Sequence, residues 1–412
     1  SVDRALRVGI IGAGIGGVTL ARALEQRGIE ARIFERAPMF GEVGAGVQMT
    51  PNAVKVLSEL GLDDHLRKIG FLPDAMVGRN WKTARELFRT PLKESCPALY
   101  GASFYHVHRA DLHAALASDI KPGQATFGAH CVGLQQMGNT AVAKFADGSE
   151  FEADVIVGAD GVRSVIREQL WGEEAANYTG HMCWRALVNV DKHPLPFVSP
   201  DSSFWMGPKG HVVTYYVKGG SMVNIVAVNE NPSWVEESWN AKSTQQELLA
   251  GFEGWHPNLI ELFKRTDPDA IFKWGLFDRD PMNTWSKGNA TLLGDAAHPM
   301  LPFLSQGAAM AIEDGYVLAQ SLAYHGPRQL QQALRAYELE RLPRTSRVQL
   351  EARERGRTYH LPSAWSQLKR DMAYRWRQLL NPNAVGIQAN WVYEYDARDC
   401  ETRFPLAQKI PA

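Results

Sequence analysis

The chain has 412 residues, with 44 Lys plus Arg against 45 Asp plus Glu and a net charge of −1; at roughly 100–200 residues per domain this predicts two or three domains and excludes a strongly basic nucleic-acid binder or a polyanionic tail. Hydrophobic residues at 45% and charged residues at 22% exclude long disorder. The four cysteines, Cys96, Cys131, Cys183 and Cys400, lie far apart without CxxC or Cys/His ligand spacing, so no metal site and no disulfide framework is expected, and reduced thiols in a cytoplasmic protein are the simple reading.

Residues 7–11 are a short apolar run ending at glycines and read as a buried strand. Gly12 to Gly17 follow as GAGIGG, residues 18–27 carry apolar side chains at helical spacing, and Gly28 is a natural helix stop. Residues 29–35 alternate as a second strand. The apolar run from Val8 to Leu24 is followed by Glu25-Gln26-Arg27-Gly28, not by the small residues of a signal-peptide cleavage site. No run reaches about 18 apolar residues, so no membrane partner is expected.

Helical patterns are predicted near 52–69 and 109–120, and a hairpin is predicted from 140–145 and 151–158 around Asp147-Gly148. The region 176–280 has β-branched and aromatic runs, such as 211–217 and 222–228 joined by Gly219-Gly220, and predicts a sheet-rich second domain. Helix is predicted again from 307 to about 324 and across 328–356; beyond this, scattered Trp and Tyr show little periodicity.

Gly12, Gly14 and Gly17 form GxGxxG between a strand and a helix. The first glycine permits the tight turn, the second lets a pyrophosphate approach the backbone, and the third lets the helix pack close to the strand. The helix N-terminus, from Ile15, offers free N–H groups to phosphate. Glu35, 23 positions after Gly12, is placed to accept from a ribose hydroxyl, with Arg36 beside it. This context favours a dinucleotide over a plain structural turn without deciding between NAD and FAD. Two further strands each deliver an Asp next to Gly: Asp160 in 154–164 and Asp295 in 291–298. Each alone also reads as an ordinary strand-to-helix turn with an acidic cap.

Together these three stretches resemble those of the single-component flavin-dependent aromatic hydroxylases, the family of para-hydroxybenzoate hydroxylase. The resemblance covers about residues 5–350. It is strongest toward the salicylate, 3-hydroxybenzoate and 6-hydroxynicotinate hydroxylating branch, through 41–52 (GEVGAGVQMTPN), 106–113 (HVHRADLH) and 294–314 (GDAAHPMLPFLSQGAAMAIED). It implies an α/β fold: a Rossmann-like FAD-binding domain with an interleaved β-sheet substrate domain and a C-terminal extension. The expected boundaries are 1–175, with a small substrate-side insertion near 74–100, then 176–280, a return segment 281–356, and 357–412.

The resemblance also implies roles. Glu35 would bind the adenosine ribose, Arg109 the FAD phosphate or ribitol region, and Asp160 both FAD pyrophosphate and NAD(P)H handling. Asp295 would bind the ribitol or pyrophosphate, and Val47 would also belong to the cofactor site. Pro299 would lie over the isoalloxazine, and the helix starting at Gly307-Ala308 would aim its N-terminus at the pyrimidine ring. The expected enzyme is a monooxygenase that reduces FAD with NADH or NADPH, traps O2 as a flavin C4a-hydroperoxide and hydroxylates a small hydroxylated aromatic or pyridine carboxylate. A flavin dehydrogenase or reductase of the same fold, and a non-catalytic flavin-binding protein, are the alternatives. A monomer or homodimer is expected.

His211 and Tyr215, four apart on a predicted strand, share one face and could hold and deprotonate a bound hydroxyl; the alternative is a satisfied histidine and sheet packing. Arg185 reads as a carboxylate clamp or as an interdomain arginine. Gln48, Met300 and Phe303 complete the expected substrate pocket, Met300 and Phe303 with Leu301 as water-excluding apolar groups. Relatives carry histidine in place of Gln48 and of Phe303, or glutamine in place of Pro302.

Overall fold

The computed structural model describes residues 4–41, 45–190, 195–231, 241–359, 364–380 and 390–407. Residues 42–44 of the stretch 41–52, parts of the predicted sheet-rich region and parts of the C-terminal extension lie outside the described residues.

Four apolar runs, Val8–Ile11, Arg32–Glu35, Val155–Gly158 and Ala290–Leu292, join Ala125–Phe127 in a five-stranded parallel sheet. Val8–Ile11 is the middle strand, paired with Arg32–Glu35 on one side and Val155–Gly158 on the other. Continuous Val/Ile runs suit these positions, because a parallel sheet is buried on both faces. The helices Ile15–Gln26 and Gly307–His325 cover it, and the second is buried on almost every side.

An eight-stranded sheet is built from Ala75–Asn80 and Glu86–Pro91 together with six strands between Asn177 and Asp278. Gly210–Val217 and Met222–Glu230 form its central hairpin, in the register Tyr215 opposite Asn224 and His211 opposite Val228. The chain therefore passes repeatedly between the two sheets. One face of the larger sheet carries Val213, Tyr215 and Val217 toward Phe303, Tyr359 and Tyr393. The other packs Val212 and Tyr216 under the helices Gln245–Gly251 and Pro257–Lys264.

Three sequence readings change. The predicted helix 52–69 is two helices, Pro51–Glu59 and Asp63–Ile69, broken at Gly61, whose φ of +81° a helix cannot hold. The run 151–158 also divides. Glu150–Ala153 completes the hairpin with Ala141–Phe145, whereas Val155–Gly158 leaves it for the parallel sheet. Asp154 marks the division: its carboxylate accepts from Arg4 Nη1 and from the Arg7 N–H, both at 2.7 Å. Finally, the region after 356 contains the helix Ala364–Leu380. Leu368, Met372, Trp376, Leu379 and Leu380 recur there at helical spacing but stay exposed, so their periodicity marks an outer face and not a core. Among the described residues no helix is long and apolar enough to cross a membrane.

Candidate active site

All five parallel strands point their carboxyl ends at one cavity of about 410 Å³. Gly12, Gly14 and Ile15 line it after the first strand, Glu35 and Arg36 after the second, Asp160 after the fourth and Asp295 after the fifth. Arg109, Gly307 and Ala308 complete ten of the thirteen expected cofactor residues in a single cavity. Ligands of open α/β sheets bind at this edge, where neighbouring crossovers diverge.

The glycine loop leaves no room for side chains on its inner side. Gly12 has φ +107°, and a Cβ there would lie 2.2 Å from the Ala159 carbonyl oxygen. A Cβ on Gly17 would lie 2.1 Å from the Gly12 carbonyl oxygen, so Gly17 packs the helix against the loop and does not line the cavity. Val47 and Pro299 are also outside the lining. Val47 pairs with Val107 in a two-stranded ribbon, and the Pro299 carbonyl accepts from Gln349 Nε2 at 3.0 Å.

Two helices, of 12 and 19 residues, begin at this cavity. Neither has a side-chain cap or an acidic residue in its first turn, so both positive dipole ends remain available to an anion. Nothing stands within 4 Å of a Cβ position on Gly307. Asp160 is already engaged: it accepts from Ser164 Oγ, from the Val165 N–H at 2.9 Å and from the Ile166 N–H at 3.3 Å, and burial raises its pKa. The cap reading and the cavity reading thus hold for the same residue. These features fit an FAD: an anionic diphosphate meets free N–H groups, and the Glu35 carboxylate, 3.5 Å from the Ala13 N–H, faces the same space. Gly12→Ala should therefore yield protein purified with less than about a tenth of the wild-type flavin, since the added methyl closes on Ala159 and occupies a backbone conformation that alanine avoids. The ratio of flavin to protein absorbance checks this.

None of the six expected substrate residues lines this cavity. They belong to a second, aromatic compartment on the inner face of the large sheet. His211 is 2% exposed, stacks on Phe204 with ring centroids 5.1 Å apart, and meets Phe303 and Tyr359 edge-on. Burial, with His181 nearby, lowers its pKa to about 3. Tyr215 stacks on His106 at 4.1 Å, and burial raises its phenol to about 12. The pair shares a face, and four residues along a strand separate their Cα atoms by about 13 Å, so the two rings meet different neighbours in this cluster. Gln48 donates to Ser202 Oγ at 2.7 Å. Arg185 sits at the Tyr215 end, with Nη1 3.5 Å from the Gly46 carbonyl and its guanidinium 5.3 Å from the centre of Trp274. No carboxylate pairs with it among the described residues, its Nε is buried without a partner, and burial lowers its pKa. Met300 is half-buried at the edge of this cluster.

Sequence reasoning missed two sets of residues. Ala129 to Val132, following the third parallel strand, and Arg163 also line the cavity. Beneath the site lies a buried charge network. Asp314 accepts from the Gly294 N–H at 3.0 Å and from Arg341 Nε at 2.7 Å, and it contacts His298. Glu313 accepts from Arg344 Nε at 2.8 Å and from Asn52 Nδ2 at 2.7 Å. The only local signal was the acid pair inside an otherwise apolar helix.

The FAD binding domain family matches residues 5–352. The chain belongs to this family. Among its relatives, the 3-amino-4-hydroxybenzoate 2-monooxygenase PtnB3 of Streptomyces platensis is 39% identical over 401 residues, covering 96% of this chain and 98% of the relative. The 6-hydroxynicotinate 3-monooxygenase of Pseudomonas fluorescens is 38% identical over 353 residues, covering 83% and 89%. Klebsiella pneumoniae HpxO, solved with FAD and uric acid, superposes with a TM-score of 0.82 at 25% identity, covering 92% and 95%. As a member of the FAD-binding family with monooxygenase relatives along its whole length, the chain is a flavoprotein monooxygenase whose cofactor is FAD.

Proposed function

We propose that the protein hydroxylates a monocyclic aromatic or pyridine carboxylate bearing a hydroxyl or amino group: substrate + NAD(P)H + H⁺ + O2 → hydroxylated product + NAD(P)⁺ + H2O. Bound FAD supplies the redox chemistry, taking electrons from NAD(P)H and activating O2. In this reading Glu35 receives the adenosine ribose, the N–H groups from Gly14 and Ile15 receive the diphosphate, and Arg109, Asp160 and Asp295 border the remaining length. The helix N-terminus at Gly307-Ala308 stabilises negative charge on the reduced ring system. Pro299, Met300 and Phe303 are the groups that would screen the reacting face from water.

The observation that carries the substrate class is Arg185. A half-buried guanidinium with a fully buried, unpartnered Nε and no carboxylate is costly unless a ligand supplies the counter-charge, and the aromatic walls around His211 suit a flat ring. The carboxylate goes to Arg185 beside Tyr215, and the ring hydroxyl points toward His211, whose imidazole burial keeps neutral and whose basicity rises as the adjoining oxygen gains negative charge.

The test is a screen of 3-amino-4-hydroxybenzoate, 6-hydroxynicotinate and 3-hydroxybenzoate, following NAD(P)H oxidation, H2O2 and product mass together. A product carrying one added oxygen, with little H2O2, is expected for at least one acid. NAD(P)H oxidation matched by H2O2 with every acid would instead mark a reductase. Arg185→Met should raise KM for the active acid about 10²-fold with a smaller change in kcat, the signature of lost charge pairing in binding.

A further inference from the structure

The geometry points to His106 as a specificity-determining residue that hydrogen-bonds a hydroxyl or amino substituent near the carboxylate of the aromatic acid, a group distinct from the hydroxyl that faces His211. The inference rests on the substrate class proposed above. His106 lies on the strand Tyr105–His108, directly opposite Gln48 in an antiparallel pair, so both side chains leave the same face. It is fully buried, stacked on Tyr215 with an interplanar angle of 27° and meeting Phe104 edge-on at 5.6 Å. Both of its ring nitrogens are without a hydrogen-bond partner.

Buried polar side chains are ordinarily bonded, and three other buried histidines each engage at least one ring nitrogen. His113 Nε2 meets the Ala13 carbonyl at 2.6 Å, His325 Nδ1 meets the Ser321 carbonyl at 2.9 Å, and His298 meets Asp314. His106 has no such anchor, although it sits at the end of the compartment where Tyr215 and Arg185 gather. Burial keeps it neutral, with a pKa near 3, so it presents one N–H donor and one nitrogen acceptor. A hydroxyl or amino group can use both roles, whereas a bare ring edge uses neither. A site built to hydrogen-bond such a group rejects the analogue that lacks it far more strongly than an apolar pocket does.

The test uses the oxidised holoenzyme, titrated with 3-amino-4-hydroxybenzoate, which carries both a hydroxyl and an amino group, and with benzoate, following the perturbation of flavin absorbance. Wild type should bind the substituted acid at least 10²-fold more tightly than benzoate. His106→Phe keeps the stack on Tyr215 and removes both nitrogens; it should shrink that ratio to within about tenfold while leaving the Kd for benzoate unchanged. His106→Gln, which retains a donor and an acceptor, should recover most of the preference. An unchanged ratio in His106→Phe, or an equal loss of affinity for both ligands, would overturn the assignment. Independently of any variant's folding, ¹⁵N-histidine spectra of wild type should show one ring whose nitrogens shift with the substituted acid and not with benzoate; no such ring would also overturn it. If wild type hydroxylates one of the acids but binds it no better than benzoate, the assignment of His106 fails while the proposed function stands. If it hydroxylates and binds none of them, both fail.

Discussion

Arg341→Met should cost the folded protein about 3–5 kcal/mol, the range for leaving a buried charge uncompensated. Arg341 is fully buried between two fully buried carboxylates: its Nε donates to Asp314 at 2.7 Å, and Nη1 stands 2.8 Å from Glu313 as an ion pair without hydrogen-bond alignment. Methionine keeps the volume and removes the charge. Glu313 retains Arg344 and Asn52, but Asp314 is left with His298 and one backbone N–H. That N–H belongs to Gly294, adjacent to Asp295 at the cavity, so flavin release should quicken along with the loss of stability. Urea unfolding of the holoenzyme and of the variant checks the first expectation, and flavin fluorescence on dilution checks the second. A loss below about 1 kcal/mol would show that the network tolerates the unpaired charge. The same network sets an acid limit for wild type. Burial alone would raise the Asp314 pKa, but His298 and Arg341 outweigh it and hold the carboxyl down to about 2, below its ordinary 3.8. The folded state therefore binds fewer protons than the unfolded chain in that interval. Its contribution is complete above about pH 4 and is lost as pH falls toward 2.

His211→Ala should lower hydroxylation about 10²-fold or more, the scale of one general base, while leaving flavin content and the rate of reduction by NAD(P)H near wild type. NAD(P)H consumed without product should appear as H2O2. Raising the pH should restore part of the rate, because the substrate hydroxyl then ionises unaided. With a pKa near 3, the wild-type imidazole is neutral across any assay above pH 5, so no acid limb from its protonation is expected there. Tyr215→Phe, at the opposite end of the compartment, keeps the stack on His106 and should act mainly on KM. Full coupling with wild-type kcat in His211→Ala would assign the proton to another acceptor. Rapid-mixing reduction measured separately from product formation distinguishes these cases.

Local sequence was enough to find the cofactor cavity. Its main contributors lie at the end of an apolar strand or one to three residues beyond it: Glu35 ends its strand, Gly12 follows Ile11, Asp160 follows Gly158, and Asp295 follows Leu292. A strand that runs into glycine and then a helix is a pattern of about ten residues, and once strands lie parallel their carboxyl ends must share one edge. The face shared by His211 and Tyr215 was legible for the same reason, since side-chain alternation along a strand is fixed by the backbone.

Only the tertiary structure decided the rest. Strand order set Ala125–Phe127 beside Arg32–Glu35 and so brought Ala129 to Val132 to the cavity. Residue spacing could not say that His211 and Tyr215 meet different neighbours, because Phe204, Phe303, Tyr359 and His106 arrive from four separate segments. The partners of Asp314 come from positions 294, 298 and 341, and nothing near Arg341 in sequence marks it as a buried cation. The region after 356 showed little usable periodicity in sequence, and only the structure revealed the helix Ala364–Leu380 and its exposed apolar face. Periodicity and turn chemistry act over a few residues and fix element type and facing. Which buried charges find partners, and which apolar stripes are covered, depends on contacts between separate segments, 16 to 31 residues apart for the acids and cations of this network, where the low dielectric of the interior makes pairing decisive.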